Sequence, residues 1–480
     1  MELINKSYNY RFWILVLIIC VISRIFTTIF YIEDIDSLRF FLSAKDFNVL
    51  EGRPHFPGYP VYCFILNIIS FVIRSISISF SLIGAFSIFS IVYFSNKIWQ
   101  FNFKNKSYFL MFLIIFNPFL WIMSNRYMPD ILGLSLLTIS TYYFLVYRKY
   151  KLKKNYLILA FTIGLLAGVR ISYLPFVLPF IYYFAKQKEI KFFLYLSLSI
   201  SIWLFPLILL FDFTDLWKIF MRDLNGHFFN WGGTIYSNEI SITKRLYKMF
   251  EFLLVDGIGF WKNDRTILTL INSIILLIMF IYFFTKKIQF KKINFRLSII
   301  KISICSIIYI LWVLFFQNIY YKPRHIIPII LVFIFIISYI FERCNNKNKL
   351  LHLILTVCFV ISYLFVSIKL NIDHTQPSAI SQIKSHFKKE ISKNKLVIFT
   401  EPLMKLYFSK QLEEKNIKIY PYEKLNPDII KYYHNLNYTI YSTKQLYLNK
   451  DNLTETIVFY HNPYVNRLWS TLKIYKYEKN

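Results

Sequence analysis

Apolar residues in this chain gather into long, nearly uncharged runs. Phe12 to Tyr31 and Asn272 to Thr285 carry almost no charge and approach the roughly 20 residues that cross a bilayer core as helix. Eleven runs are predicted to span a membrane, at about 12–31, 81–98, 108–123, 130–147, 155–168, 171–185, 191–211, 266–285, 298–316, 325–342 and 349–369. A further apolar stretch, 59–75, is short and ends at Arg74. It reads as a helix lying in the interface or dipping partway. From about 371 the pattern changes to short β-prone runs: Leu396–Phe399, Ile417–Tyr420, Tyr438–Tyr441, Ile457–Tyr460 and Leu472–Tyr475. Leu403–Glu414 and Pro427–His434 read as helices between them. The expected fold is therefore an all-α polytopic membrane domain over 1–370 with a small α/β domain over 371–480.

Composition agrees. The 480 residues are 56% hydrophobic and 17% charged, against about 25% charged in a soluble chain. A net charge of +30 would suit a nucleic-acid partner, but the lysines and arginines sit in short loops between apolar runs. That is where the positive-inside rule puts them, and it excludes the nucleic-acid reading. Lys97/Lys104/Lys106, Arg148–Lys154, Lys186–Lys191, Lys286–Arg296 and Arg343–Lys349 fall on one side, the cytoplasm, together with the N-terminus. The mixed segments 32–80, 124–129, 211–265 and 317–324 face outward, and eleven crossings put the C-terminal domain outside. The expectation is a multi-pass protein of the cell (inner) membrane with an uncleaved first helix. Five scattered cysteines, none beyond Cys358, give neither a disulfide framework nor a zinc spacing in the tail.

Candidate chemistry collects on the outer face. Glu33-Asp34-Ile-Asp36-Ser37 follows the first span, and Arg53-Pro-His55-Phe-Pro-Gly-Tyr59-Pro lies further along the same loop. Ser-Asn-Arg126-Tyr-Met-Pro-Asp130 joins the third and fourth spans. Gly226-His227-Phe-Phe-Asn-Trp231-Gly-Gly occupies the large second outer loop, and Tyr-Tyr-Lys322-Pro-Arg324-His325 precedes the tenth span. Taken singly, each segment reads as an ordinary helix end or turn. Together they concentrate Asp, Arg, His and Trp on one face, while the inner loops hold mainly Lys, Asn and Gln, and such convergence marks an active site. Arg170 lies between two short spans, where a buried arginine is a functional candidate. Arg24, in the first span, reads as snorkelling or paired with an acid. Gly164-x-x-x-Gly168 reads as a helix-packing contact.

Acids after the first helix, then Pro-His-x-Pro-Gly-Tyr-Pro entering an interfacial helix, resemble the GT-C superfamily of membrane glycosyltransferases. The resemblance covers about 12–369 and is nearest to the protein O-mannosyltransferase and aminoarabinose transferase branches. It implies inverting transfer from a polyprenyl-phosphate sugar to a hydroxyl of a glycan, lipid or protein, in contact with membrane lipids. Asp36 or Asp34 would be the base. The family's usual Asp-Glu pair is here Asp36-Ser37, which leaves the choice between the two acids open. Arg324, Arg126 and Lys322 are candidates for the departing phosphate, since an arginine fork matches phosphate oxygens. Glu33, Arg53, His55, Tyr59, Asp130, Arg170, His227, Trp231 and His325 are candidates for holding donor or acceptor. No cofactor is implied; Asp34-x-Asp36 could hold a divalent metal, but relatives using monophosphate donors generally work without one. The competing classes are a transporter or flippase of a lipid-linked intermediate and a surface-polysaccharide ligase or polymerase. A transporter would place ionisable groups at mid-membrane and often shows inverted repeats, whereas here the charge lies at helix ends and no repeat is visible.

Overall fold

A computed structural model describes residues 6–237, 241–262, 266–285, 297–343, 349–412, 416–424, 426–445, 453–461 and 469–477. The basic loop 286–296 and residues 344–348, Cys344 among them, lie outside the described residues. The chain forms two compact units, Met1–Thr28 with Leu42–Ile372, and Ile29–Phe41 with Asp373–Asn480. The sequence reading drew one boundary near 370. The thirteen residues carrying the three acids cluster with the C-terminal part.

The first unit is helical. Seven described helices are long and apolar enough to cross a membrane, eight if one bent pair is a single span. The bent pair is α5 (Tyr108–Ile115) and α6 (Pro118–Asn125), which meet at 48° where a single span over 108–123 was expected. Pro118 has no N–H for an uninterrupted helix, and the Asn117 side chain caps α6 by accepting from Leu120 N at 2.9 Å. Arg24 of α1 (Lys6–Phe26) secures this break. It is fully buried, donates to the Ile115 carbonyl at 2.6 Å and to Ser124 Oγ at 3.2 Å, and lies 5.0 Å from the Trp121 ring. The sequence suggested that Arg24 snorkels or pairs with an acid; among the described residues it does neither, being buried against backbone, hydroxyl and ring. Its guanidinium satisfies the Ile115 carbonyl stranded by the broken helix.

The run Lys153–Lys186 is helical throughout its 34 residues, but it is two legs. In α8 (Lys153–Arg170), Tyr156 near the start lies 6.3 Å, ring to ring, from Phe184 near the end of α9 (Leu174–Lys186). A straight helix of that length would separate its ends by about 50 Å, so the chain reverses at Ile171–Tyr173. The paired short spans expected at 155–168 and 171–185 form this hairpin. With α1, α4 (Ile76–Phe103), α7 (Asp130–Tyr150), α10 (Ile190–Phe211), α13 (Ile267–Thr285), α14 (Leu297–Phe316), α15 (Ile327–Arg343) and α16 (Lys349–Thr375), each of the eleven apolar runs contains helix, though the first, expected over 12–31, ends at Phe26. Helix α3 (Pro60–Ile73) has only 14 residues, about 21 Å of rise, short of a ~30 Å hydrocarbon core. Gly164 and Gly168 let α8 approach α10 closely: a Cβ on Gly164 would come within 2.4 Å of Ser199 Oγ, and one on Gly168 within 3.0 Å of the Trp203 ring. Trp203 in turn donates to the Gly164 carbonyl. The exposed leucines and isoleucines of α10, such as Leu194, Leu198 and Ile202, form a face suited to lipid.

The second unit contains a five-stranded sheet in the order β2-β1-β3-β5-β4. Strands β1 (Lys395–Thr400), β2 (Ile417–Pro421) and β3 (Tyr438–Ser442) are parallel; β5 (Thr471–Tyr477) runs antiparallel to β3 and to β4 (Leu453–Tyr460). All five strands and the helices α18 (Pro402–Gln411) and α19 (Pro427–Asn435) sit where the sequence expects them. Parallel pairing requires a crossover, and those two helices supply it. Central strand β1 is buried along almost its whole length, as a sheet covered on both faces demands. Val397 and Phe399 pack with Ile430 and Tyr433 of α19. The amphipathic α17 (Ala379–Ile391) was missed in the sequence; it buries Ile380, Ile383 and Phe387.

Candidate active site

In the second unit, the three acids of the segment Ile29–Phe41 occupy different environments. Asp34 precedes the short helix α2 (Ile35–Ser43). Its Oδ1 accepts from Ser37 N at 2.8 Å, and its carbonyl accepts from Leu38 N. Asp34 is thus the N-cap of α2. Asp36 lies in the first turn of α2, 7% exposed, with Arg39 3.9 Å away one turn on. Glu33 is fully buried, and its Oε2 lies 3.6 Å from Nε2 of the equally buried His374.

In the first unit, a chain of polar contacts runs through helix ends that are far apart in sequence. Asp130 at the start of α7 pairs with Arg170 at the end of α8 at 2.9 Å, both almost wholly buried. Arg170 Nη1 reaches Tyr59 OH at 3.4 Å, and that hydroxyl lies 3.1 Å from His55 Nε2. Gly133, one turn after Asp130, makes the pair possible: a Cβ there would lie 2.7 Å from Arg170 Cβ. The Arg170 guanidinium lies 5.8 Å from the Tyr173 ring, which meets Tyr309 of α14 edge-on at 6.0 Å. Tyr309 OH donates to the His325 carbonyl at 2.8 Å. Arg324 is 6% exposed and approaches Met128 Sδ at 3.1 Å. The positive charges of Arg170, Arg324 and Lys322 all act on His325. Arg126 is buried, with Nη1 3.8 Å from Met123 Sδ.

The long segment between α10 and α13 contributes at its edge. His227 lies in the turn Gly226–Asn230 after α11 (Phe213–Asn225), and its Nε2 donates to the Phe316 carbonyl at 2.9 Å. Burial, reinforced by the nearby charges of Lys322 and Arg170, lowers its pKa from 6.5 despite the bond to Phe316. The imidazole is therefore neutral at pH 7. Trp231 is 61% exposed, and its ring closes over Gly226, where a Cβ would clash at 2.3 Å. Arg53 is engaged elsewhere, with Asp46 at 2.7 Å and Glu51 at 2.6 Å. The structure thus gathers His55, Tyr59, Asp130, Arg170, Lys322, Arg324, His325 and His227 within one network of contacts and fields. Arg53 is not among them. Among the described residues, no group of three or more His, Cys, Asp and Glu side chains is arranged to hold a metal.

Four residues escaped the sequence reading. Tyr173 and Tyr309 line the arginine cluster; Tyr173 follows Arg170 by three residues, a spacing that could have flagged it. Arg245 donates to the carbonyls of Leu314, Gln317 and Gly233 at 2.5–2.7 Å, closing the C-terminal end of α14 as cations do. His374 sits at the end of a span and carries no motif.

Beneath the arginine cluster lies a cavity of about 390 Å³ with almost entirely apolar walls. Its lining includes Leu134, Phe176 and Pro328, each three or four residues beyond Asp130, Tyr173 and His325 respectively. It extends along the helices to Trp99, Phe283 and Tyr339.

No family model and no curated protein matches the sequence. Solved structures do match its fold. ArnT from Cupriavidus metallidurans bound to undecaprenyl phosphate is 10% identical with a TM-score of 0.53, covering 98% of each chain. The apo state of the same protein gives a TM-score of 0.54 at the same identity and coverage. The fold is that of ArnT. It is the all-α membrane architecture with a small C-terminal α/β part that the sequence predicted, and the correspondence with ArnT covers 98% of both chains, including the C-terminal part that lay outside the sequence resemblance.

Proposed function

We propose that this protein is an integral membrane glycosyltransferase that moves a sugar from a polyprenyl-phosphate carrier to an acceptor hydroxyl at the non-cytoplasmic face. The observation that carries the reading is that Arg324 and the Asp130–Arg170 pair, with Lys322 close by in sequence, lie about one helical turn before Pro328 and Leu134, which line a long apolar cavity. A polyprenyl phosphate has that form: one anionic head on a hydrocarbon chain. A buried arginine fork binds phosphate oxygens strongly, and the apolar walls take the chain at roughly 0.8 kcal/mol per buried methylene. ArnT, of the same fold, has been solved bound to undecaprenyl phosphate, which supports the same donor class here.

In the proposed reaction Asp36 accepts the proton of the acceptor hydroxyl. The freed oxygen bonds to the sugar's anomeric carbon from the face opposite the carrier, so the configuration inverts. The bond from that carbon to the phosphate oxygen breaks, and its electron pair leaves with the polyprenyl phosphate. Arg324, with Lys322 beside it, neutralises the charge that develops there. Asp130 holds Arg170 in place, and Tyr59 and His55 extend that contact outward. Asp36 suits the base better than Asp34, whose carboxylate is spent on capping α2. No metal is needed, since the arginines supply the positive charge.

The test is transfer of radiolabelled sugar from polyprenyl phosphate by the protein in nanodiscs, alongside lipid analysis of host membranes lacking it. A labelled product and an accumulating polyprenyl-phosphate sugar are expected. Unchanged lipid pools, together with no saturable binding of polyprenyl phosphate, would overturn the reading.

A further inference from the structure

We infer that the C-terminal α/β domain serves the reaction by holding the acid segment, and that Glu33, His374 and Tyr407 are positioning residues for Asp36. This rests on the reading of Asp36 as the base. The segment Ile29–Phe41 forms one compact unit with Asp373–Asn480, although the whole of the first unit's remaining helices intervenes in sequence. Three polar attachments secure it there. Glu33 and His374, both fully buried, face each other at 3.6 Å. Tyr31 OH donates to the His374 carbonyl at 2.5 Å. Tyr407 OH, on α18 and buried, donates to the Ile32 carbonyl at 2.8 Å. Aromatic contacts close around them: the Tyr31 ring meets His374 and His461 edge-on at 6.4 and 6.1 Å, and Tyr407 meets Trp469 at 6.3 Å.

Each attachment falls on the residues just before Asp34 and Asp36. A carboxylate and an imidazole are costly to bury, and removing one partner of such a pair leaves the other uncompensated. The Glu33 carboxylate is three residues from Asp36, and the intervening Asp34 caps the helix that carries Asp36. Anchoring Ile32 and Glu33 therefore fixes where α2 begins and where the Asp36 carboxylate points. A general base misplaced by about 1 Å loses on the order of a hundredfold in rate.

The experiment uses full-length protein in nanodiscs and the variants Glu33→Gln, His374→Gln and Tyr407→Phe, each close to the native side chain in size. Hydrogen exchange of a peptide covering Ile29–Phe41 is read beside that of α4, and transfer kinetics are measured in parallel. Faster exchange in Ile29–Phe41 with α4 unchanged is expected, with kcat lower by about tenfold to a hundredfold and KM for the donor nearly constant. Tyr407→Phe removes a single hydroxyl and keeps the test open should the buried-pair variants fail to fold. Native exchange in the segment, or faster exchange with native kcat, would overturn the inference. If the native protein transfers no sugar, the functional reading falls, and with it the role given to Asp36; exchange then still reports whether the domain holds the segment.

Discussion

Asp34 and Asp36 are two residues apart, yet a single hydrogen bond separates their expected roles. Asp34 accepts from Ser37 N, and asparagine caps a helix as well as aspartate does. Asp34→Asn should therefore retain near-native transfer, whereas Asp34→Ala should cost about 1 kcal/mol of stability, read as a lower melting temperature. Asp36→Asn keeps shape but cannot take a proton, so transfer should fall by about 10² or more with donor binding intact. Native turnover in Asp36→Asn would remove it as the base. At Arg324, alanine should weaken donor use far more than lysine does, measured as KM for the polyprenyl-phosphate sugar; equal and unimpaired turnover of the two would take Arg324 out of the site. The Asp130–Arg170 pair differs again. With one partner removed, a charge is left buried at a cost of about 3–5 kcal/mol, so Asp130→Ala should lower the yield of folded protein, and Arg170→Met added to it should recover part. Most of these residues were legible as polar groups at helix ends. Which acid caps a helix and which does not was illegible, because both readings use the same letters and only the register of α2 decides between them.

Among elements, the apolar runs fixed where helices lie, since a run of that length has few other ways to satisfy its backbone in lipid. The break at Asn117-Pro118 was visible as a proline but not as a bend, because a proline near a helix start and one inside a helix look alike in sequence. Likewise α17 went unread: with three lysines among thirteen residues, its buried face emerges only against the sheet. The turn at His227 predicts a pH dependence. Its pKa lies below 6.5 in the fold, so the folded state resists protonation. Stability present above pH 6.5 is then lost as the pH falls through 6.5 toward the lower folded value. Thermal unfolding at pH 7.5 and 5.5 should show a smaller drop in His227→Gln than in the native protein; an equal drop would assign the effect to other groups.

For the molecule as a whole, the charge of the loops predicts that the C-terminal domain faces outward. A cysteine replacing the exposed Lys431, in a background lacking the exposed Cys358, should react with a membrane-impermeant thiol reagent in intact cells; labelling only after permeabilisation would reverse the topology. The two-part organisation was legible as a change of pattern near 371, but the membership of Ile29–Phe41 in the second part was not, because nothing local marks a segment whose partners lie at the other end of the chain. That membership bears on biosynthesis. The acid segment leaves the ribosome about 340 residues before the strands and helices that complete its unit. On the proposed mechanism, a chain cut short before β5 would insert its helices with Asp36 in an unassembled unit, and would be inert toward a lipid-linked sugar.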